Sequence, residues 1–367
     1  MLFDPGRIGT LELPNRFIRS ATAERMAEPD GRPRSPLRDM YRELSLGGVG
    51  LIITGHMYVH PTGKAHPEMT GIDDDALIPH LAGLTASVHQ AGGRIAVQIN
   101  HGGMQCSRET VAQTLAPSPI DADYASRSPR ELTADEITML VQAYADAARR
   151  AVLAEFDAVQ IHGAHGYLVS QFLSPLTNRR TDTWGGDFEG RLRFLRAICE
   201  AVRDEVGPDY PVFIKLGMVD DVEGGLTPAD GARVVAALAE MDLDGIEISG
   251  GLGGGKSLNT RAGIGSVEEE AYFRPLAQRA RECTSLPIAL VGGFRSLQVM
   301  EDVLEAGDAD FISMCRPLIC EPDLPNRLRQ GVQDRASCIS GNRCWPERPE
   351  EGIGCHCPVE EARRTGP

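Results

Sequence analysis

The 367-residue chain is 42% hydrophobic and carries a formal net charge of −15, which suits a soluble chain with one large α/β domain or two ordinary ones. Such acidity argues against a general nucleic-acid or anionic-membrane surface, which needs clustered Lys and Arg. The longest apolar runs fall short of the ~20 residues of a membrane span. The opening "MLFDPGRIGT" puts Asp4, Pro5 and Arg7 where a secretory signal would be apolar, so a cytoplasmic location is expected.

In chain order, "IGTLEL" (8–13) reads as a small hairpin covering the N-terminal end of the fold. Eight short apolar runs then recur, each bounded by Gly, Pro or polar residues: "NRFIRSA" (15–21), "VGLIITG" (49–55), "RIAVQIN" (94–100), "DAVQIHG" (157–163), "PVFIKLG" (211–217), "GIEISGG" (245–251), "PIALVGG" (287–293) and "DFISMCR" (310–316). Between them lie segments with helical apolar spacing. In 133–154, Thr133 and Glu136 make a capping box ahead of Ile137, Leu140, Val141 and Tyr144; in 227–241, Thr227-Pro228 supplies an N-cap and a first-turn proline. Residues 101–132 read as a long insertion after the third run. Eight strands alternating with helices predict an α/β fold, a closed (β/α)₈ TIM barrel spanning 1–333, followed by a Cys-containing extension over 334–367.

The runs end in groups that can hold a ligand: Ala21-Thr22-Ala23, Gly55-His56, Gln98 and His101, His162 and His165, Lys215, Ser249-Gly250, Gly292-Gly293 and Arg316. Strand C-termini line the mouth where barrel enzymes place their chemistry. Lys215 ends a strand that should otherwise be buried, and a lysine is almost never fully buried without a partner. Gln98 offers both a donor and an acceptor to a heterocycle. "VGGF" (291–294) and "MCRP" (314–317) follow strands seven and eight, whose loops frequently form a phosphate site in barrels, here with Arg316 at hand.

Two alternatives compete with these readings. "GGLGGGKS" (250–257) matches the phosphate-loop pattern, but the following "SLNTRAGIG" has no helical period, so a barrel loop is preferred to a nucleotide-hydrolysing one. His162 and His165 lack the third ligand a metal needs, since Gly163, Ala164 and Gly166 offer none. They read better as two imidazoles aimed at one acceptor, with the Tyr167 hydroxyl as a nearby acid. Of nine cysteines, Cys106, Cys199, Cys283, Cys315 and Cys320 are scattered as core residues usually are, whereas Cys338, Cys344, Cys355 and Cys357 crowd the tail. In a reducing cytosol that crowding suggests a metal more than disulfides.

The stretch "IHGAHGYLVSQFLSPLTNRRTDTWGGDFEGRLRF" (161–194), with "LFDPGRIGTLELPNRF", "LIITG" and "QINHGG", resembles the old yellow enzyme family of flavin-dependent ene-reductases from about residue 2 to 330. The resemblance implies a barrel holding FMN at its strand C-termini, with NADH or NADPH as electron donor. It implies that Ser20, Ala21, Thr22 and Ala23 pass along the flavin ring and that His56 stands beside it, where relatives commonly have a small residue. It further implies Gln98 at the pyrimidine edge, Lys215 near N1 and O2, and Gly293, Cys315 and Arg316 at the phosphate. His162 and His165 would bind the substrate carbonyl oxygen and Tyr167 would donate the proton. Ala23 stands where many members have Cys or Thr, and Met104 where a basic residue follows "HGG".

The tail resembles the branch containing dienoyl-CoA reductases and trimethylamine dehydrogenase, in which four cysteines bind a [4Fe–4S] cluster. Here Gly341 holds the second cysteine's place and the chain ends at Pro367, so a tail without a cluster is preferred to an Fe–S or zinc site on Cys338, Cys344, Cys355 and Cys357. The expected activity is NAD(P)H-driven reduction of the C=C bond of α,β-unsaturated carbonyl compounds, with a small-molecule substrate and neither nucleic acid nor membrane as partner. Homo-oligomer formation stays open. Oxidative amine demethylation on the same barrel and a cofactor-free barrel are the alternatives.

Overall fold

The structure, a computed structural model, describes residues 1–120, 128–252, 259–345 and 351–354. Strands β1 (Gly6–Ile8) and β2 (Leu11–Leu13) form the expected hairpin, antiparallel with Gly6 opposite Leu13. The barrel then begins with β3 (Phe17–Arg19), β4 (Leu51–Tyr58) and β5 (Ile95–Asn100). Within the insertion, β6 (Leu115–Ala116) and β7 (Arg130–Glu131) make a separate two-residue pair. The barrel continues through β8 (Ala158–Gly163), β9 (Val212–Gly217), β10 (Ile246–Ser249), β11 (Ile288–Val291) and β12 (Phe311–Met314). All eight neighbouring pairs are parallel, and β12 pairs with β3 to close the barrel. Each of the eight apolar runs therefore marks one strand of the predicted TIM barrel, β4 continuing three residues past its run to Tyr58.

Parallel strands need crossovers, which these residues supply as helices. They are α1 (Ser35–Leu46), α2 (Ile78–Gln90), α3 (Ala134–Leu153), α4 (Leu168–Leu173), α5 (Phe188–Val206), α6 (Pro228–Leu238), α7 (Arg274–Arg281) and α8 (Leu297–Glu305), while α9 (Arg316–Cys320) and α10 (Leu324–Arg329) follow the last strand. Both predicted caps form: Thr133 with Glu136 before α3, and Thr227 with Asp230 before α6. Helix α6 stops at Leu238, three residues before the predicted end, and the chain turns through Met241–Leu243 into β10. Among the described residues no helix is long and apolar enough to cross a membrane. Residues 253–258, which carry most of the phosphate-loop pattern, lie outside the described residues; none of residues 259–266 is helical.

Period-two alternation builds the barrel interior in layers. Ile18, Ile53, Ala96, Ala158, Phe213, Ala289 and Phe311 form an apolar layer, plugged from below by Ile8, Leu11 and Leu13 of the hairpin. Two residues further along the strands the same inward positions turn polar: Ser20, Gln98, Gln160, Lys215 and Ser313, joined by Glu247 of β10. Strand β4 carries one extra residue between Ile53, level with Ala96, and His56, level with Gln98. That bulge brings His56 to the inner layer. Gly55 permits it by close approach: a Cβ there would lie 1.8 Å from Glu24 Oε2. Glu24 accepts from Gly55 N (2.8 Å) and Tyr41 Oη (2.5 Å) and pairs with buried Arg19 at 2.8 Å.

Candidate active site

Above the polar layer, at the C-terminal ends of the strands, opens a cavity of about 230 Å³. Every residue to which the resemblance gives a catalytic or flavin-contacting role lines it, from Ser20 to Arg316, whereas the run-end His101 does not and meets Thr62 Oγ1 at 3.0 Å.

Its floor is one continuous hydrogen-bonded network. Gln98 Nε2 donates to Gln160 Oε1 (2.7 Å), and Gln160 Nε2 donates to Glu247 Oε2 (2.8 Å). Ser20 Oγ donates to Glu247 Oε1 (2.6 Å) and accepts from Lys215 Nζ (2.7 Å), which also pairs with Glu247 Oε1 at 3.2 Å. Lys215 and Glu247 face each other in register across β9 and β10 and are 3% and 0% exposed. The lysine thus has the partner its burial demands. Burial pushes the Glu247 carboxyl up, but the Lys215 ammonium and the hydrogen bonds from Ser20 and Gln160 outweigh that and hold it below its ordinary value.

One wall is aromatic. The His162 ring lies 5.3 Å from that of His165 and 4.8 Å from that of Tyr167, and the His56 ring lies 4.8 Å from Tyr167. His162 is the penultimate residue of β8, where its Nδ1 accepts from Ala164 N (3.3 Å), so the proton resides on Nε2. His165 takes a left-handed conformation (φ 62°), and its Nε2 meets Ser249 Oγ at 2.7 Å. The αL turn thus returns the second imidazole to the side of the first. His56 Nδ1 accepts from Asn100 Nδ2 (2.7 Å). Burial keeps all three imidazoles neutral, driving His165 down to about 3 and His56 to about 4, with His162 well below its usual range. Burial lifts the Tyr167 phenol to about 12. These are groups that donate from a neutral state.

On the opposite side Gly292 (φ 147°) and Gly293 (φ 79°) follow β11, and a Cβ on Gly293 would lie 2.9 Å from Tyr272 Cε1. Cys315 and Arg316 follow β12. The Arg316 guanidinium donates to Arg261 O (2.7 Å) and Asn342 Oδ1 (2.5 Å), so it ties the rim to the tail. Ala21, Thr22 and Ala23 run along the edge between these two sides. Ser340, Asn342, Cys344, Trp345 and Ile353 complete the mouth, with Ile353 N donating to Glu24 O at 2.7 Å.

The donor set suits a flat heterocycle with an anionic tail. The floor offers an amide and an ammonium, and glycines leave backbone exposed near an arginine at one end. Ser313 Oγ is buried in the lining without a hydrogen-bond partner among the described residues, a polar atom awaiting one. For a metal the arrangement is poor: among the described residues no three His, Cys, Asp or Glu side chains gather to hold one. Cys338 and Cys344 are described, whereas Cys355 and Cys357 lie outside the described residues.

Sequence reasoning missed Gln160, Glu247, Ser313 and the tail's share of the mouth, whereas Ser249, a run-end residue, lines the cavity. A signal existed for two of these. Glu247 interrupts "GIEISGG" and Gln160 interrupts "DAVQIHG" as Lys215 and Gln98 interrupt their own strands. Cys320, read as an isolated core cysteine, is disulfide-bonded.

Residues 1–335 match the model of the NADH:flavin oxidoreductase / NADH oxidase family. The chain is 36% identical over 363 residues to an NADH oxidase of Thermoanaerobacter brockii, covering 98% of this chain and 55% of that protein. It is 34% identical over 326 residues to an NADPH dehydrogenase of Geobacillus thermodenitrificans, covering 89% and 92%. Among solved structures, morphinone reductase in complex with tetrahydroNAD superposes with a TM-score of 0.77 at 28% identity, covering 91% of each chain. The chain spans about half the length of the Thermoanaerobacter relative, 55% of it.

Proposed function

The chain belongs to the NADH:flavin oxidoreductase / NADH oxidase family, and from that premise we propose an FMN-dependent enzyme that reduces the C=C bond of α,β-unsaturated carbonyl or similarly activated compounds at the expense of NADH or NADPH. FMN, when bound, takes reducing equivalents from the nicotinamide and supplies hydride to the substrate's β-carbon. Everything else falls to this chain's own side chains.

Gln98 and Lys215 would hold the pyrimidine edge, Ser20 to Ala23 would flank the ring, and Gly293, Cys315 and Arg316 would receive the phosphate. His162 Nε2–H and the His165 ring present hydrogen bonds to the substrate's carbonyl or nitro oxygen. Because both imidazoles are neutral and desolvated, their donors gain most as negative charge develops on that oxygen in the transition state. Tyr167, protonated far above neutrality, passes its phenolic proton to the α-carbon and regains one from solvent. Residues 1–333 serve as the flavin barrel and 334–367 as an extension that contributes to the mouth. Gly341, at the place of a cluster cysteine in one branch of the family, favours a tail that works without a cluster.

The observation that carries this reading is the convergence of two neutral imidazoles and a phenol above a floor bearing Lys215 and Gln98. Its test is the His162→Ala/His165→Ala variant. Loss of one oxyanion donor slows turnover by roughly 10²–10³, so reoxidation of the reduced protein by an enone should slow at least that much while NAD(P)H-dependent bleaching persists. Unchanged enone kinetics would sink the assignment.

A further inference from the structure

Glu247 stands apart from the groups placed so far because, as a carboxylate, it can only accept. Three donors converge on it: Ser20 Oγ and Lys215 Nζ on Oε1, and Gln160 Nε2 on Oε2. Each contact removes a freedom from its partner. Ser20, having spent its proton on Glu247, must accept from Lys215, as the 2.7 Å contact shows. Gln160, having turned its NH₂ to Glu247, must show its oxygen to Gln98. Gln98 therefore spends a donor on Gln160, and its Oε1 is the end left for the cavity it lines. An amide's two ends are nearly equal in shape, and only its partners decide which way it lies.

The same carboxylate balances the Lys215 charge. At 3.2 Å and fully enclosed, the pair is net neutral, so Lys215 offers the cavity a directed N–H donor without a free positive charge. We propose that Glu247 is a positioning residue for the cofactor: through Gln160 it fixes the acceptor end of Gln98 toward the cavity, and through its charge it moderates the pull of Lys215 on bound flavin. This inference rests on the flavin reading of the cavity.

Two variants of the flavin-loaded protein test it. Glu247→Gln keeps the volume and removes the charge. A flavin gains negative charge on reduction, so an unbalanced Lys215 makes it easier to reduce. Against a reference dye the ratio of reduced to oxidised flavin at equal poise should rise at least tenfold, a positive shift of about 30 mV for a two-electron couple. Glu247→Asp, which keeps the charge, should stay within about threefold of the parent ratio. Gln160→Leu breaks the relay and leaves the Lys215–Glu247 pair; flavin should be released at least tenfold more readily, read by its fluorescence, with the potential unchanged. It keeps the experiment decisive if Glu247→Gln does not fold. A Glu247→Gln ratio within threefold of the parent, an Asp variant shifted as far as Gln, or a Gln160→Leu variant that retains flavin as tightly as the parent overturns the inference. A parent protein that binds no flavin contradicts the reading beneath it instead.

Discussion

Replacing Tyr167 by Phe removes one oxygen and little else. The ring contacts at 4.8 Å to His56 and His162 are made by carbon that Phe retains, so barrel stability and flavin content should match the parent. What goes is the proton donor, and general acid catalysis by a positioned side chain contributes typically 10²–10⁴-fold, or about 3–5 kcal/mol. Stopped-flow reoxidation of the reduced variant by an enone should slow by that factor, while reduction by NAD(P)H proceeds at the parent rate. The parent's pH profile should match these side chains. With His165 near 3, about 1% of it is charged at pH 5, and with Tyr167 near 12, about 0.1% is ionised at pH 9. The enone step in the parent should therefore be flat over roughly pH 5–9. A loss below about fivefold in the variant, or a parent profile that breaks near the ordinary histidine pKa of about 6.5, would refute the reasoning.

The buried imidazoles should also make the fold acid-labile. His56, His101 and His165 are held by burial near 4, 3 and 3, below the unfolded value of about 6.5, so the unfolded chain binds more protons as pH falls. Stability should drop below pH 6.5 by up to about 1.4 kcal/mol per pH unit for each, and level only below the folded values; urea melts at pH 7, 6 and 5 with constant midpoints would contradict this. Glu24→Ala strands the fully buried Arg19 and frees Tyr41 Oη and Gly55 N. It should cost about 3–5 kcal/mol in chemical denaturation, and a loss under about 1 kcal/mol would show the pair to be dispensable.

The barrel was legible because its strands are short apolar runs cut by Gly, Pro and polar residues, and parallel strands leave few other architectures. The cavity wall was legible because His162, His165, Lys215 and Gln98 fall at or near run ends, where packing alone has no use for them. Glu247 was harder. It lies mid-run, and whether a mid-strand charge points to the interior or to the helices depends on the phase of alternation and on closure, neither of which one strand declares. His56 owes its inward place to the bulge at Gly55, an extra residue that no period reveals. Arg19 and Glu24, which no sequence pattern singled out, are 1% and 5% exposed, because Tyr41 of α1 and the backbone of β4 meet them. The tail's place over the mouth rests on long-range contacts such as Asn342 with Arg316, which local pattern does not encode.

The absorption spectrum of the purified chain, followed through one anaerobic cycle, tests the flavin enzyme most directly. The expected result is a yellow protein that releases FMN on denaturation, bleaches on adding NADH or NADPH, and regains its colour stoichiometrically on adding an enone. A colourless protein that takes up no flavin, or a bleached one that an enone leaves bleached, would contradict it.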